Sequence, residues 1–231
     1  MKVAVIPARG GSKRIPGKNI KDFCGKPMIA WSIESAKSSK CFDRIIVSTD
    51  DTEIAEVARK YGAEVPFMRP ESLSDDFTGT LAVIIHAIEM LENDCGEISE
   101  VCCLYATAPL ITAEDINRGL ETLKASGCEY AIGVSSFSYP IQRALLIDEQ
   151  QKVKMVDPSA FSARSQDLKE AFHDAGQFYW GTRNAWMSGV PSFLADTAPV
   201  ILPRYRVQDI DTTEDWYRAE LLFRAMSSYG S

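Results

Sequence analysis

The sequence predicts an α/β fold with a mostly parallel, Rossmann-like sheet flanked by helices. Short β-branched runs alternate with amphipathic helical stretches up to residue 136, and this alternation resumes after residue 175. The chain has 231 residues, of which 45% are hydrophobic, so it can bury the core of one α/β domain. We therefore expect one domain built from residues 1–137 and 175–231, with residues 138–174 as an excursion from the sheet.

The hydrophobic periodicity assigns the elements in chain order. Predicted strands cover residues 2–7, 44–49, 64–68, 101–108, 130–136, 176–181 and 198–203, and predicted helices cover 27–38, 52–61, 78–93, 113–126, 182–188 and 213–228. The helix over 52–61 has clear boundaries, because Asp51 is a suitable N-cap and Gly62 a suitable C-terminal stop. Ligands of open α/β sheets bind at the carboxyl ends of the strands. These ends should hold Ala8, Thr49, Tyr105 and Thr107.

Composition limits the classes of partner. The formal net charge is −7 and the isoelectric point is about 5.0, which disfavours nucleic acid and anionic membranes as partners. No apolar run reaches 18 residues and no leader with a cleavage site is apparent, so we expect no membrane segment and a cytoplasmic protein. The six cysteines lack zinc-type spacing, which indicates free thiols in a reducing compartment.

One loop carries a strong local positive charge. The segment "ARGGSKRIPGKN", residues 8–19, follows the first strand, and residues 9–26 hold six basic side chains and one acidic side chain. The two glycines allow backbone N–H groups to approach an anion closely, and the cations suit a triphosphate. Five residues separate Gly11 from Gly17 where a Walker A loop has four, Asn19 replaces its Ser or Thr, and the dinucleotide fingerprint is absent. The loop is therefore predicted to bind phosphates outside both motifs, and a solvated surface loop is the alternative.

Two carboxylates in "VQDIDTTEDW" form a candidate metal site. Asp209 and Asp211 are two residues apart, so in an extended segment both side chains project to one side while Ile210 enters the core. Mg²⁺ commonly takes one or two protein carboxylates together with substrate phosphates and water, which suits this pair. The competing interpretation is helix capping, because Thr212 and Asp215 form a capping box for the last helix.

Motifs along nearly the whole chain resemble the nonulosonic acid cytidylyltransferases, the family that includes the cytidine monophosphate sialic acid synthetases. In order they are "IPARGGSKRIPGKN", "DRIIVSTDDTEIAE", "RPESLSDD", "ATAPL" and "QDIDTTED". The segment "HDAGQFYWG" is most similar to the subgroup that acts on pseudaminic acid. The resemblance implies a nucleotidyltransferase that uses Mg²⁺ and condenses CTP with a nine-carbon 2-keto sugar acid, giving the CMP-sugar and pyrophosphate.

The resemblance also implies roles for individual residues. Lys18, Arg9 and Asp211 would be catalytic, with Lys18 neutralising the charge that builds on the departing pyrophosphate. Asp209 and Asp211 match the positions of the family's metal ligands. Arg69 matches a position near the base, and an exposed arginine before a turn proline is the alternative. The implied nucleotide-binding set is Ala8, Arg9, Gly10, Ser12, Lys13, Lys18, Asn19 and Arg69.

The same resemblance implies a sugar site made of Tyr105, Thr107, His173, Asp174, Gln177 and Tyr179. Its motif "YATAPL" lacks the acid present in synthetases for the eight-carbon sugar acid. Sialic acid enzymes more often have Gln in place of Tyr105, and they have Asn-Gly-x-x-Tyr over residues 175–179. These departures disfavour sialic acid, although sialic or legionaminic acid stays an alternative substrate. His173 and Asp174 could alternatively hold a loop in place. For the protein as a whole, a noncatalytic sugar-nucleotide sensor is a further alternative.

The excursion over residues 138–174 is predicted to be a dimerisation arm. Its hairpin-like runs contain prolines and polar breaks, and with the flanking Phe137 they carry apolar side chains that a protruding hairpin could not bury alone. The family resemblance implies a homodimer in which each arm lies near the partner's sugar pocket. His86, on an apolar helical stretch, is assigned a packing role only. The apolar residues of this region are Phe137, Tyr139, Ile141, Leu145, Leu146, Val153, Met155 and Val156.

Overall fold

The structure is a computed structural model that describes residues 1–229, except for the side chains of Cys95 and Tyr229. Its strands are β1 (Lys2–Pro7), β2 (Asp22–Phe23), β3 (Lys26–Pro27), β4 (Arg44–Ser48), β5 (Glu100–Leu104), β6 (Tyr130–Ser136), β7 (Leu145–Ile147), β8 (Val153–Met155), β9 (Phe172–Thr182) and β10 (Thr197–Ile201). Its α-helices are α1 (Met28–Ser39), α2 (Thr52–Tyr61), α3 (Thr80–Cys95), α4 (Ala113–Ser126), α5 (Arg183–Met187) and α6 (Thr213–Tyr229).

The main sheet has the strand order β10-β6-β9-β5-β1-β4 within residues 1–229. β1 pairs in parallel with both β4 and β5, and β10 pairs in parallel with β6. β9 runs antiparallel to β5 and β6, because the chain returns to the sheet directly from the excursion without a crossover helix. The predicted α/β class with a mostly parallel sheet is confirmed.

The hydrophobic core has one layer on each face of this sheet. Phe178 and Trp180 point to the face that contains Ile29, Ile33 and Leu120 from α1 and α4. Tyr179 lies on the opposite face, in the layer to which α3 contributes Ile84, Ile88 and Leu91. Because side chains alternate along a strand, β9 supplies aromatic groups to both layers. Tyr179 is thereby separated from its two aromatic neighbours.

Two predicted strands differ from those observed. Residues 64–68 form no named strand, and their pairing is a single parallel bridge between Ile46 and Glu64. Pro66 has no N–H to donate to a ladder, which explains why pairing stops there. The strand predicted over 101–108 ends at Leu104, and residues 105–108 turn away toward Pro109 at the edge of the sheet.

Helix capping follows the sequence signals. The Asp51 side chain accepts hydrogen bonds from the N–H groups of Glu53 and Ile54, and Gly62 ends α2 in the left-handed conformation (φ 91°). At α6, Asp215 Oδ2 accepts from the N–H and hydroxyl of Thr212, so the predicted capping box is present. No α-helix within residues 1–229 is both long and apolar enough to cross a membrane.

The cysteines whose side chains the structure describes are free thiols, as predicted, and Cys95 lies outside the described side chains. Cys102 and Cys103 are fully buried on β5, and burial raises the pKa of both thiols. These two groups therefore act as apolar core residues.

The predicted excursion over residues 138–174 leaves the sheet after β6. It contains short 3₁₀ turns and the β7–β8 hairpin, in which Leu145 pairs with Met155 and Ile147 with Val153. Leu146 on this hairpin is 62% exposed. β9 begins at Phe172, two residues before the predicted end of the excursion, so His173 and Asp174 belong to the main sheet.

Candidate active site

The loop over residues 8–19 follows β1 at the carboxyl edge of the sheet. Ala8 is buried, and its N–H donates to the Ser48 carbonyl at the end of β4 (2.9 Å). The Gly10 N–H donates to Asp50 Oδ1 (3.0 Å), and a Cβ at Gly10 would lie 2.5 Å from Asp51 Oδ2. Glycine is therefore needed at position 10, because a side chain there would clash with Asp51. The sequence predicted that the Gly10 N–H contacts an anionic ligand, whereas in this conformation it donates to Asp50.

Arg9 and Lys13 share one acidic partner from a neighbouring loop. Arg9 Nη1 donates to Asp76 Oδ1 (2.6 Å) and to the Asp75 carbonyl (2.9 Å), and Lys13 also pairs with Asp76. Hydrogen bonds from Lys13 and Arg9 lower the pKa of Asp76. Two cations predicted to hold phosphates are thus balanced by one protein carboxylate.

Lys18 joins the basic loop to the segment that carries the acidic pair. Its Nζ donates to the Ile210 carbonyl (2.6 Å) and lies 3.6 Å from Asp211 Oδ1. Arg14 Nη2 lies 2.9 Å from the same oxygen. The Lys18 side chain is 19% exposed, so its charge is partly shielded from water and interacts strongly with nearby charges.

A cavity of about 510 Å³ brings the basic loop together with residues from four other parts of the chain. Asn19 on its wall is buried and donates from Nδ2 to the Arg9 carbonyl (2.9 Å), so it also shapes the loop. The predicted site residues that line this cavity are Arg9, Ser12, Lys13, Lys18, Asn19, Arg69, Tyr105, Thr107 and Asp211.

Arg69 is a buried cation on the cavity wall. Its side chain is 4% exposed, and Nη2 lies 3.6 Å from Asp50 Oδ1. Nε and Nη2 have no hydrogen-bond partner among the described residues. Burial lowers the pKa of Arg69, and the charge of Asp50 opposes this effect. The alternative of an exposed arginine is therefore wrong, and Arg69 is a buried cation that lines the cavity.

Asp209 and Asp211 flank Ile210, which is fully buried against Phe23 and Trp216 as predicted. Burial raises the pKa of Asp209, and the nearby charge of Asp211 adds to this, whereas Lys18 opposes it. No cluster of three or more His, Cys, Asp or Glu that could hold a metal occurs among the described residues. The acidic centre is thus a pair that would need ligand oxygens to complete a metal's coordination.

A bulge in β9 sets the position of Asp174. The register with β6 shifts between Ile132 and Val134, and Gly176 adopts a left-handed conformation (φ 60°) that favours glycine. Asp174 Oδ1 accepts from the Gly176 N–H (3.0 Å), and Oδ2 accepts from the Tyr179 hydroxyl. Burial, followed by the neighbouring hydroxyl and carboxylate, raises the pKa of Tyr179, so it stays a neutral donor to Asp174.

The predicted sugar residues are divided between two cavities. Tyr105 and Thr107 line the 510 Å³ cavity, whereas His173 and Asp174 line a second cavity of about 1070 Å³ beneath the excursion. Asp211 lines both cavities, whereas Asp209 lines only the second. Gln177 is buried with Nε2 donating to the Arg206 carbonyl (2.5 Å), and it lines neither cavity. Tyr179 also lines neither, but its ring meets that of Tyr105 edge to face at 5.6 Å.

Sequence reasoning missed Asp50 and Asp76 as members of this site, and it counted Arg14 only as part of the positive charge of the loop. Asp50 could have been found, because it follows β4 at the same sheet edge as the loop. Asp76 carried no local signal, since its contacts with Arg9 and Lys13 join residues more than 60 positions apart.

The chain is similar to several known proteins. The chain is 46% identical to a pseudaminic acid cytidylyltransferase of Campylobacter jejuni, over 96% of each chain, and 34% identical to a CMP-N,N'-diacetyllegionaminic acid synthase of Legionella pneumophila, over 95% of each. A solved structure of CMP:2-keto-3-deoxy-manno-octonic acid synthetase complexed with CTP has the same fold, with a TM-score of 0.71 and 19% identity over 97% of this chain and 99% of that one. A family model described as cytidylyltransferase matches residues 3–215, and the protein is accordingly a member of the cytidylyltransferase family.

Proposed function

We propose that the protein condenses CTP with a nine-carbon 2-keto sugar acid, pseudaminic acid being favoured, to give the CMP-sugar and pyrophosphate. The observation that carries this proposal is the 510 Å³ cavity, where the basic loop, Arg69, Tyr105 and Asp211 face one space. The 46% identity to the Campylobacter jejuni enzyme supports pseudaminic acid as the sugar. Sialic and legionaminic acids are the alternative substrates, the latter supported by the 34% identical Legionella pneumophila relative.

In the proposed reaction the anomeric hydroxyl oxygen of the sugar attacks the α-phosphorus of CTP, the bond to the pyrophosphate oxygen breaks, and the hydroxyl proton passes to water. The protein contributes positioning and charge stabilisation, which supply most of the rate enhancement in phosphoryl transfer. Lys18, partly buried and held by the Ile210 carbonyl, is suited to neutralise the departing pyrophosphate. Arg9 and Lys13 would exchange Asp76 for phosphate oxygens when CTP binds.

Asp209 and Asp211 fit a magnesium ion. Their carboxylate oxygens are the hard ligands that Mg²⁺ prefers. Burial, with the charge of Asp211 adding to it, raises the pKa of Asp209, and a bound cation would offset both effects. When bound, Mg²⁺ would supply additional positive charge to the phosphates. Asp211 lies where the two cavities meet, so the pair would serve both substrates.

The assembly we propose is a homodimer formed through the arm over residues 138–174. Support comes from the β7–β8 hairpin, whose Leu145, Leu146 and Ile147 are each at least 60% exposed. We also propose that the protein acts in the cytoplasm, which the free thiols support.

The decisive experiment uses CTP labelled at the α-phosphate and purified pseudaminic, legionaminic and sialic acids. We expect labelled CMP-sugar and pyrophosphate to form only when sugar and Mg²⁺ are both present, with pseudaminic acid giving the highest kcat/KM. Binding of CTP without turnover of any sugar would instead indicate a noncatalytic sensor. Faster turnover of another sugar would reassign the substrate while keeping the reaction.

A further inference from the structure

The Asp50 carboxylate does not take part in capping α2, although Asp50 immediately precedes the N-cap residue Asp51. The segment after β4 reads Thr49-Asp50-Asp51, and Asp51 alone accepts the N–H groups that begin α2. Asp50 Oδ1 instead accepts from the Gly10 N–H of the basic loop (3.0 Å) and lies 3.6 Å from Arg69 Nη2. One oxygen therefore faces both the loop predicted to hold phosphates and the cation predicted to lie near the base.

Two backbone hydrogen bonds also connect the end of β4 to the basic loop and to the segment that carries Arg69. The Ala8 N–H donates to the Ser48 carbonyl (2.9 Å), and the Arg69 N–H donates to the Thr49 carbonyl (2.8 Å). The end of β4 thus lies between the loop and the segment that carries Arg69. Because each link is short and partly buried, a shift in one wall of the cavity would be transmitted to the other.

Arg69 depends on Asp50 for its charge balance. A guanidinium that is 4% exposed has lost most of its hydration, and such a cation is stable only beside a counter-ion or hydrogen-bond acceptors. Asp50 is the acidic group in an ion pair with it. At 3.6 Å the two groups attract each other, and Nε and Nη2 have no closer hydrogen-bond acceptor within the described part of the chain.

The donor edge formed by Nε and Nη2 of Arg69 matches cytosine better than uracil. Nε and Nη2 lie on one edge of a guanidinium and donate in parallel, a geometry suited to two adjacent acceptors. Cytosine presents N3 and O2 as such a pair, whereas uracil carries a hydrogen on N3 and would oppose one donor. A guanidinium held in a fixed orientation therefore discriminates between CTP and UTP.

We infer that Asp50 is a positioning residue that couples the phosphate loop to Arg69 and keeps this arginine aimed for cytosine recognition. The inference rests on the proposed function, because it takes CTP as the substrate. Asp50 itself touches neither phosphate nor base in this account. It acts through Gly10 and Arg69.

The test begins with Asp50→Asn, which keeps an oxygen for the Gly10 N–H but removes the charge that balances Arg69. We expect the Kd and KM for CTP to rise about tenfold, because one charge-assisted contact is lost. The preference for CTP over UTP should fall, and kcat should change less than about twofold. Asp50→Ala also removes the acceptor for Gly10 and should lower kcat as well. Glu53→Gln is the matched control, since it removes one exposed charge from the start of α2.

Two further measurements separate positioning from general damage. In an Arg69→Met background, Asp50→Asn should change the Kd for CTP less than twofold, because its partner is already gone. In Arg69→Ala, added guanidinium ion should restore CTP binding when Asp50 is present and fail to do so in the Asp50→Asn double variant.

Equal effects of Asp50→Asn in both backgrounds, or guanidinium rescue without Asp50, would overturn the assignment of Asp50. Normal CTP binding and normal CTP preference in Asp50→Asn would overturn it too, while leaving the proposed function intact. Failure of the unaltered protein to bind CTP would instead overturn the proposed function itself.

Discussion

Lys18 connects two parts of the candidate active site, the basic loop and the segment that carries Asp211. The sequence places it on the basic loop, and the structure adds its bond to the Ile210 carbonyl and its approach to Asp211. A cation tethered in this way is pre-oriented, so little reorganisation is needed when negative charge develops near it.

We predict that Lys18→Ala lowers kcat by about 10²-fold or more while changing the Kd for CTP much less, because its charge matters most as pyrophosphate leaves. Lys13→Ala is the matched control, since Lys13 is 80% exposed on the same loop and should chiefly affect CTP binding. Steady-state kinetics with calorimetric binding measures both quantities. Near-normal kcat with only a raised KM would make Lys18 a binding residue.

Asp211→Asn keeps the side-chain shape and removes its charge. We predict a folded protein with greatly reduced activity, which extra Mg²⁺ partly restores because one charged ligand is lost. Thermal melting is measured first, and Asp215→Asn is the comparison. Asp215 caps α6, so its loss should cost about 1 kcal/mol of stability with a smaller effect on the magnesium dependence. Unfolding of Asp211→Asn would make the acidic pair structural.

At the scale of elements, the loop over residues 75–78 covers the basic loop with a protein anion. Asp75 Oδ1 accepts hydrogen bonds from the N–H groups of Phe77 and Thr78, which makes a local turn, and this turn presents Asp76 to Arg9 and Lys13. The same cations are expected to face the triphosphate. Asp76 and CTP should therefore compete for them.

We predict that Asp76→Asn lowers the Kd for CTP about threefold at low salt, with a smaller effect at high salt because exposed charges are screened. Glu71→Gln, an exposed charge change on the preceding 3₁₀ turn, should leave the Kd unchanged. Titration calorimetry at two ionic strengths provides the comparison. Weaker CTP binding by Asp76→Asn would show that Asp76 orients the cations and does not compete for them.

At the scale of the whole molecule, the β7–β8 hairpin is too small to bury its own apolar surface. Leu146 is 62% exposed, and Ile147 and Val153, a cross-strand pair, are also exposed. A second copy of the chain would cover such a surface through a two-fold contact.

We predict that the unaltered protein has twice the monomer mass of 25.6 kDa in light scattering at micromolar concentration. Leu146→Asp should give a monomer with an unchanged Kd for CTP and lower activity on the sugar, because the arm would no longer reach the partner. Lys152→Asp, a polar position near the hairpin turn, is the control. A fully active monomer of the unaltered chain would contradict the dimer.

Local patterns were enough to predict the α/β class and most elements. The alternation of apolar runs, the cap at Asp51 and the stop at Gly62 are properties of neighbouring residues, and each is present in the structure. The strand over 64–68 was predicted wrongly because Pro66 has no N–H with which to extend the single bridge at Glu64 into a ladder.

The sequence by itself determined several of the chemical groups at the carboxyl edge of the sheet, because strand ends follow from periodicity and parallel strands end together. It placed the basic loop there, and it identified Asp209 and Asp211 with Ile210 turned inward. The tertiary structure alone decided how these groups are paired. Asp76 reaches Arg9, Asp50 reaches both Gly10 and Arg69, and β9 enters the sheet antiparallel. Each of these contacts joins segments far apart in the chain, and their geometry depends on packing between elements that no local pattern encodes.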